Sequence, residues 1–148
     1  MNTNVNATDG ISIDRITNGY VLDHIKAGYG MRIYKHLKLD TLDNSVALIQ
    51  NVKSVKNKRK DIIKIQGLID IDMNVLGYID PGITVITVKD DNIKSKRKLQ
   101  LPDTLTNVIT CRNPRCITSI EAGLSHEFKL SDAGKKVYRC VYCEQESK

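Results

Sequence analysis

The sequence predicts two domains of different class: a two-layer α+β sandwich over residues 11–100, then a small all-β domain over 101–148. Three observations predict it. Within the first hundred residues, stretches of strand-like alternation are interrupted twice by stretches of helical period. All four cysteines lie between residues 111 and 143, in two close pairs. Leu101-Pro102-Asp103 separates the two regions and marks a linker.

The elements follow in order. Residues 1–10, polar and small, are expected to be a disordered arm. Ile11 to Ile16 predicts a strand, and Asn18-Gly19 is a hairpin signal that returns the chain as Tyr20 to Ile25. Gly28 to Lys38 places Met31, Tyr34 and Leu37 at helical spacing, with basic residues between them. Ser45 to Val52 is the next strand, Lys53 to Lys60 a basic exposed loop, and Asp61 to Ile65 a further strand. Its alternation sets Ile63 and Ile65 on one face and Lys60, Ile62 and Lys64 on the other. Asp70 is the expected N-cap of a short helix through Tyr78, broken by Pro81-Gly82. Ile83 to Val88 and Ile93 to Leu99 are the last strands, with Lys94, Lys96 and Lys98 on one face of the second. Hairpin, helix, two strands, helix, two strands is a split βαβ order, and it predicts a ferredoxin-like sandwich with its helices on one side of an antiparallel sheet.

The cysteine pairs have the spacings C-x4-C (Cys111, Cys116) and C-x2-C (Cys140, Cys143). Asn113-Pro114 makes a turn within the first pair. Thiolates are soft ligands, and four of them at paired spacing close a tetrahedron around Zn²⁺. Two disulfides are the alternative. No apolar signal segment opens the chain, so a reducing cytosol is expected, where such thiols stay free or hold metal. One zinc per chain is expected, and its role is structural. Four sulfurs leave no position for a water, so such an ion activates nothing. A module of about 45 residues is too small to fold on its core alone, and metal binding supplies on the order of 10 kcal/mol or more.

With no Trp, one Phe and six Tyr, the core must be aliphatic. No apolar run reaches the length of a membrane span, so no membrane partner is expected. The net charge of +6 is unevenly placed: residues 1–100 hold 16 Lys/Arg against 11 acids, and residues 101–148 hold 7 against 6. The basic excess therefore belongs to the first domain, where it suits phosphates of any kind. That domain contains no Gly-rich phosphate loop, nucleophile elbow or metal-binding His pair, and nothing in it predicts catalysis. Strand alternation puts Val21, Asp23 and Ile25 on one face and His24 opposite. A carboxylate between apolar neighbours needs a partner. The structural answer is a basic side chain at the sheet end; the functional one is the hydroxyls of a ribose. Lys64 and Lys96, on separate strands, are then candidates for ribose or phosphate contacts, although a lone strand lysine is usually solvated.

These residues add up to a resemblance. Gly19-Tyr20-Val21-Leu22-Asp23-His24-Ile25 resembles the G-x-V-I-D-H-I segment of the aspartate carbamoyltransferase regulatory chain family. Arg59 to Ile65 resembles its R-K-D-L-I-K-I segment. Leu101-Pro102, Asn107-Val108 and C-x4-C-I follow in the family's order, and Cys140 to Glu144 is similar to its C-x-Y-C-E ending. The likeness runs from residue 11 to 146. It implies a non-catalytic subunit. Its N-terminal domain would bind ATP, CTP and UTP, its zinc domain would dock onto a catalytic chain, and pairs of regulatory chains would bridge catalytic trimers in pyrimidine biosynthesis. By position, Asp23 would contact ribose, while His24, Lys64 and Lys96 would line the ribose and triphosphate with Lys60 nearby. Ile13 and Ile16 would offer backbone groups to the base, with Val21 beside it. Cys111, Cys116, Cys140 and Cys143 would be the zinc ligands. Arg112, Asn113, Arg115 and Tyr142 would lie near the catalytic chain. The chain departs from the family in its first metal loop, R-N-P-R in place of P-N-x-N.

The alternative from another class is a zinc-ribbon nucleic-acid-binding protein, with Lys53 to Lys60 and Lys94 to Lys98 tracking phosphates. The nearly neutral zinc module and the lack of aromatic residues beside those basic runs argue against it, so no nucleic-acid partner is expected.

Overall fold

A computed structural model describes residues 15–55 and 58–147. The chain divides into two units, residues 1–100 and 101–148. The first contains β1 (Gly19–Lys26), α1 (Gly30–His36), a 3-10 turn (Leu39–Thr41), β2 (Val46–Lys53), β3 (Arg59–Gln66), α2 (Met73–Ile79), β4 (Thr84–Lys89) and β5 (Asn92–Lys98). The sheet order is β2-β3-β1-β4-β5, and every neighbouring pair is antiparallel. Each helix lies in a crossover that skips one strand position, which is the split βαβ arrangement; β5 extends it at the β4 edge.

The sheet separates two apolar clusters. On the helix side, Ile33, Leu39, Leu76 and Ile79 pack with Leu22, Ile25, Ile63, Ile65, Ile83 and Val85. On the other side, Ile16, Val21, Ile49, Val52, Ile62, Ile86 and Val88 form a patch to which, among the described residues, no helix contributes. Alternation along β3 thus sends Ile63 and Ile65 one way and Ile62 the other, as its sequence predicts.

Several local expectations are corrected. The predicted strand over Ile11 to Ile16 lies mostly outside the described residues, but Arg15 and Ile16 belong to no strand. Asn18-Gly19 is not a hairpin turn, because Gly19 opens β1. Glycine is needed there for close approach: a Cβ would collide with the Ile65 carbonyl of β3. In α1 the buried positions are Gly30 and Ile33, with Tyr34 and Leu37 packed partly against the core, whereas Met31 is 41% exposed. The apolar stripe therefore runs one position away from Met31. The cap of α2 is Asp72, not Asp70; its carboxylate accepts from the N–H groups of Asn74 and Val75 at 3.0 and 3.2 Å.

The strands also carry irregularities that alternation does not announce. Between Leu22↔Ile63 and Ile25↔Asp61, β1 has two residues, Asp23 and His24, opposite one of β3. Gln50 and Asn51 of β2 form the same two-against-one step beside Asp61. His24 and Asn51 take φ of 58° and 61°. Asp61, fully buried between these bulges, accepts hydrogen bonds from the N–H groups of Gly28 (3.1 Å), Gly30 (2.9 Å) and Asn51 (2.9 Å). A third bulge leaves Lys94 extra in β5, so Lys96 and Lys98 stay in step with Ile86 and Thr84 while Lys94 does not.

The second unit is a three-stranded antiparallel sheet in the order β6 (Thr104–Thr106), β7 (Glu127–Asp132), β8 (Val137–Cys140), with one helical turn, α3 (Ile117–Ile120). Leu105, Phe128 and Tyr138 are buried in it along with three of the cysteines, and the Tyr138 hydroxyl donates to the Pro102 carbonyl at 2.6 Å.

Candidate functional site

The four cysteines meet at one point. Cys111 follows β6, Cys116 is the N-cap residue of α3, Cys140 ends β8 and Cys143 lies in the turn beyond it. Their Sγ atoms all lie within 4.8 Å of one another, and the Cys111–Cys143 and Cys116–Cys140 separations are each 3.7 Å. A disulfide requires about 2.05 Å. Sulfurs at about 2.3 Å from a tetrahedral zinc would stand about 3.8 Å apart, so the spacing present fits an ion at the centre.

Both turns are tied down by the backbone. The Asn113 carbonyl accepts from Cys116 N–H (3.0 Å) and from the Ser119 hydroxyl (2.7 Å), and the Asn113 side chain accepts from Arg115 N–H (3.0 Å). The Cys140 carbonyl accepts from Glu144 N–H at 2.8 Å. His126 Nδ1 accepts from Cys111 N–H at 3.2 Å, and the Thr118 hydroxyl donates to Cys116 Sγ at 3.1 Å. These donors divide the thiols. The Thr118 hydroxyl brings Cys116 down to about 7, and the Asn113 side chain lowers Cys143. Burial pushes Cys111 up to about 12 and raises Cys140. Four thiols this close cannot all ionise without a cation among them, and a divalent ion supplies that charge.

In the first unit, Ile16, Val21, Lys64 and Lys96 lie on the helix-free face. Ala47, Lys64, Val21, Ile86 and Lys96 form one row across five strands. Lys64 is 2% exposed, and among the described residues its Nζ is the buried side-chain nitrogen with no hydrogen-bond partner. Burial lowers its pKa from 10.5. Lys96 is exposed and three strands away, about 14 Å at the usual strand spacing. Asp23 is buried, and its carboxylate pairs with Lys60 Nζ at 2.8 Å and accepts from His24 N–H at 2.6 Å. His24 Nδ1 lies 3.3 Å from the Thr84 hydroxyl. The bulge corrects the expected faces here: Val21 joins the helix-free cluster while Ile25 joins the helix-side core. Beside Lys64 a cavity of about 350 Å³ is lined by Arg15, Ile16, Ser45, Val46, Ala47 and Gln66. Ile13 lies outside the described residues.

The expected partner residues sit at the surface of the cysteine module. Arg112, Arg115 and Tyr142 are exposed, and Asn113 is half-buried in the first turn. Ile117, Ile120 and Val141 add exposed apolar side chains to the same unit. Sequence reasoning missed Asp61 and Thr118, two of the buried polar residues.

Residues 11–100 match the family described as aspartate carbamoyltransferase regulatory chain, allosteric domain, and residues 103–148 match its metal binding domain. The chain belongs to this family. It is 50% identical to the aspartate carbamoyltransferase regulatory chain of Clostridium acetobutylicum over 135 residues, 91% of this chain and 92% of that one. It is 51% identical to that of Clostridium botulinum over the same length and shares. The regulatory chain of Bifidobacterium longum is 38% identical over 138 residues, 93% of this chain and 99% of that one. Membership makes the chain a regulatory, non-catalytic subunit with an allosteric and a metal-binding domain, one that works with a catalytic chain. No helix among the described residues is long and apolar enough to cross a membrane.

Proposed function

We propose that this chain confers nucleotide control on aspartate carbamoyltransferase in the cytoplasm, within pyrimidine biosynthesis. The helix-free face of the first unit would take ATP, CTP or UTP. The cysteine module would hold one zinc ion and dock onto the catalytic chain, and two regulatory chains would pair to bridge catalytic trimers. The observation that carries the effector reading is Lys64: a buried ammonium without a partner among the described residues, in the same face as Asp23 and Lys60. A buried cation without a counter-charge is costly, and an anionic or carbonyl-bearing ligand would relieve that cost. Asp23 repels phosphate, so it suits the ribose hydroxyls, while exposed Lys96 suits the phosphates.

For the metal, the supporting observation is the fit of four sulfurs to a tetrahedron. Zinc would supply charge neutralisation and a cross-link between the two turns. The chain's own part is to present Cys111 and Cys116 from one turn, Cys140 and Cys143 from the other, and the docking side chains around them. Arg112, Asn113, Arg115 and Tyr142 would contact the catalytic chain.

The test is co-expression with a catalytic chain of the same family, followed by size-exclusion chromatography and activity assays with and without each nucleotide. Co-elution with a nucleotide-dependent rate is expected. Separate elution, or a rate indifferent to every nucleotide, rejects the proposal.

A further inference from the structure

We propose that Thr118 is a positioning residue of the metal centre, its hydroxyl holding the Cys116 thiolate from outside the ligand set. The inference rests on the reading that the four cysteines bind zinc. Thr118 Oγ1 lies 3.1 Å from Cys116 Sγ and donates to it. The side chain is 7% exposed, and among the described residues it is the buried polar side chain of the second unit; Asp23, Asp61 and Lys64 all belong to the first. A buried hydroxyl must find an acceptor. A threonine in a helical turn ordinarily finds one in a backbone carbonyl three or four residues back. Thr118 turns instead to a sulfur two residues back.

The choice of acceptor has a chemical meaning. A thiol sulfur is a weak acceptor, whereas a thiolate is a charged one and takes a stronger bond. The hydroxyl therefore gives Cys116 Sγ a donor from outside the ligand set. It also withdraws charge from that sulfur and fixes its direction. Ser119 next door shows the contrast: its hydroxyl goes to the Asn113 carbonyl.

The experiment compares full-length zinc-loaded wild type with Thr118→Val, Thr118→Ala and Thr118→Ser. Zinc affinity is read by competition with a chromophoric chelator, and the site is re-read with cobalt(II). Thr118→Val and Thr118→Ala are expected to lower zinc affinity about 10- to 100-fold. Their cobalt–thiolate charge-transfer band should move to lower energy, because the sulfur loses its donor. Thr118→Ser should keep both wild-type properties. If Val fails to fold, the Ala and Ser pair decides. Wild-type affinity and an unshifted band in the Ala variant overturn the role of Thr118 while leaving the zinc reading intact. A wild type that binds no metal overturns both.

Discussion

Lys60 Nζ lies 2.8 Å from Asp23 Oδ1, with the two side chains 14% and 7% exposed. The pair joins β3 to the bulge of β1, where Asp23 also fixes the His24 N–H. Removing one partner strands the other charge in a nearly dry position. Asp23→Ala is expected to destabilise the first unit by about 3 kcal/mol, and Asp23→Ala with Lys60→Ala by less than the sum of the single changes. Urea unfolding of the four members of the cycle checks this; additive losses would mean that the pair has no energetic coupling.

Lys64 calls for the opposite result. Replacing a buried ammonium that has no partner among the described residues with an apolar chain of similar length removes a desolvation cost, so Lys64→Met should raise the stability of the ligand-free protein. The pH dependence follows from the lowered pKa. Between the folded value and 10.5 the unfolded chain holds more protons at this lysine, so stability rises with pH across that interval. The advantage of Lys64→Met should therefore shrink as the pH climbs towards 10.5. A difference in urea midpoint that is flat across this range would count against the assignment. The same variant should weaken ATP and CTP alike, by roughly tenfold or more, in calorimetric titration.

Cys140→Ser should abolish metal binding and unfold residues from about 104 onward. The first unit has its own two apolar clusters and should stay folded. Metal analysis together with amide exchange distinguishes this from global unfolding. Zinc-free wild type, or cysteines joined as disulfides between chains, would falsify the metal assignment.

The two aspartates before α2 give a simple contrast. Asp72→Ala should cost about 1 kcal/mol, because two N–H groups lose their acceptor, while Asp70→Ala should cost much less. Thermal melts of the two variants decide which residue is the cap.

Much of this architecture is written in apolar periodicity. The strands at β2, β3 and β4 follow from runs such as Asp61 to Ile65, where each side chain has one face open to it. The cysteine cluster was legible because paired spacing admits few geometries. Other features were not legible, for identifiable reasons. Asp70 and Asp72 flank one isoleucine, and only the direction of the chain entering α2 separates them. A bulge adds one residue without changing composition, so the faces of Asp23, His24 and Ile25 could not be deduced by alternation. Lys64 carries the signal of a solvated strand lysine, yet it sits on an interior strand of the sheet, where position overrides side-chain type. Thr118 offered only a hydroxyl two residues past a cysteine.

The bulge at Asp23 and His24 makes the length of β1 as informative as its chemistry. In an unbroken strand Val21 and Ile25, four apart, would emerge on the same side. Here they serve opposite layers. Deleting His24 would straighten the pleat with every other side chain retained, and one of those two residues would then face the wrong layer. A one-residue gap at this point would therefore be harder to absorb than most substitutions nearby. Sequence comparisons that let gaps fall freely inside β1 would misassign which of its residues face the helices and which face away from them.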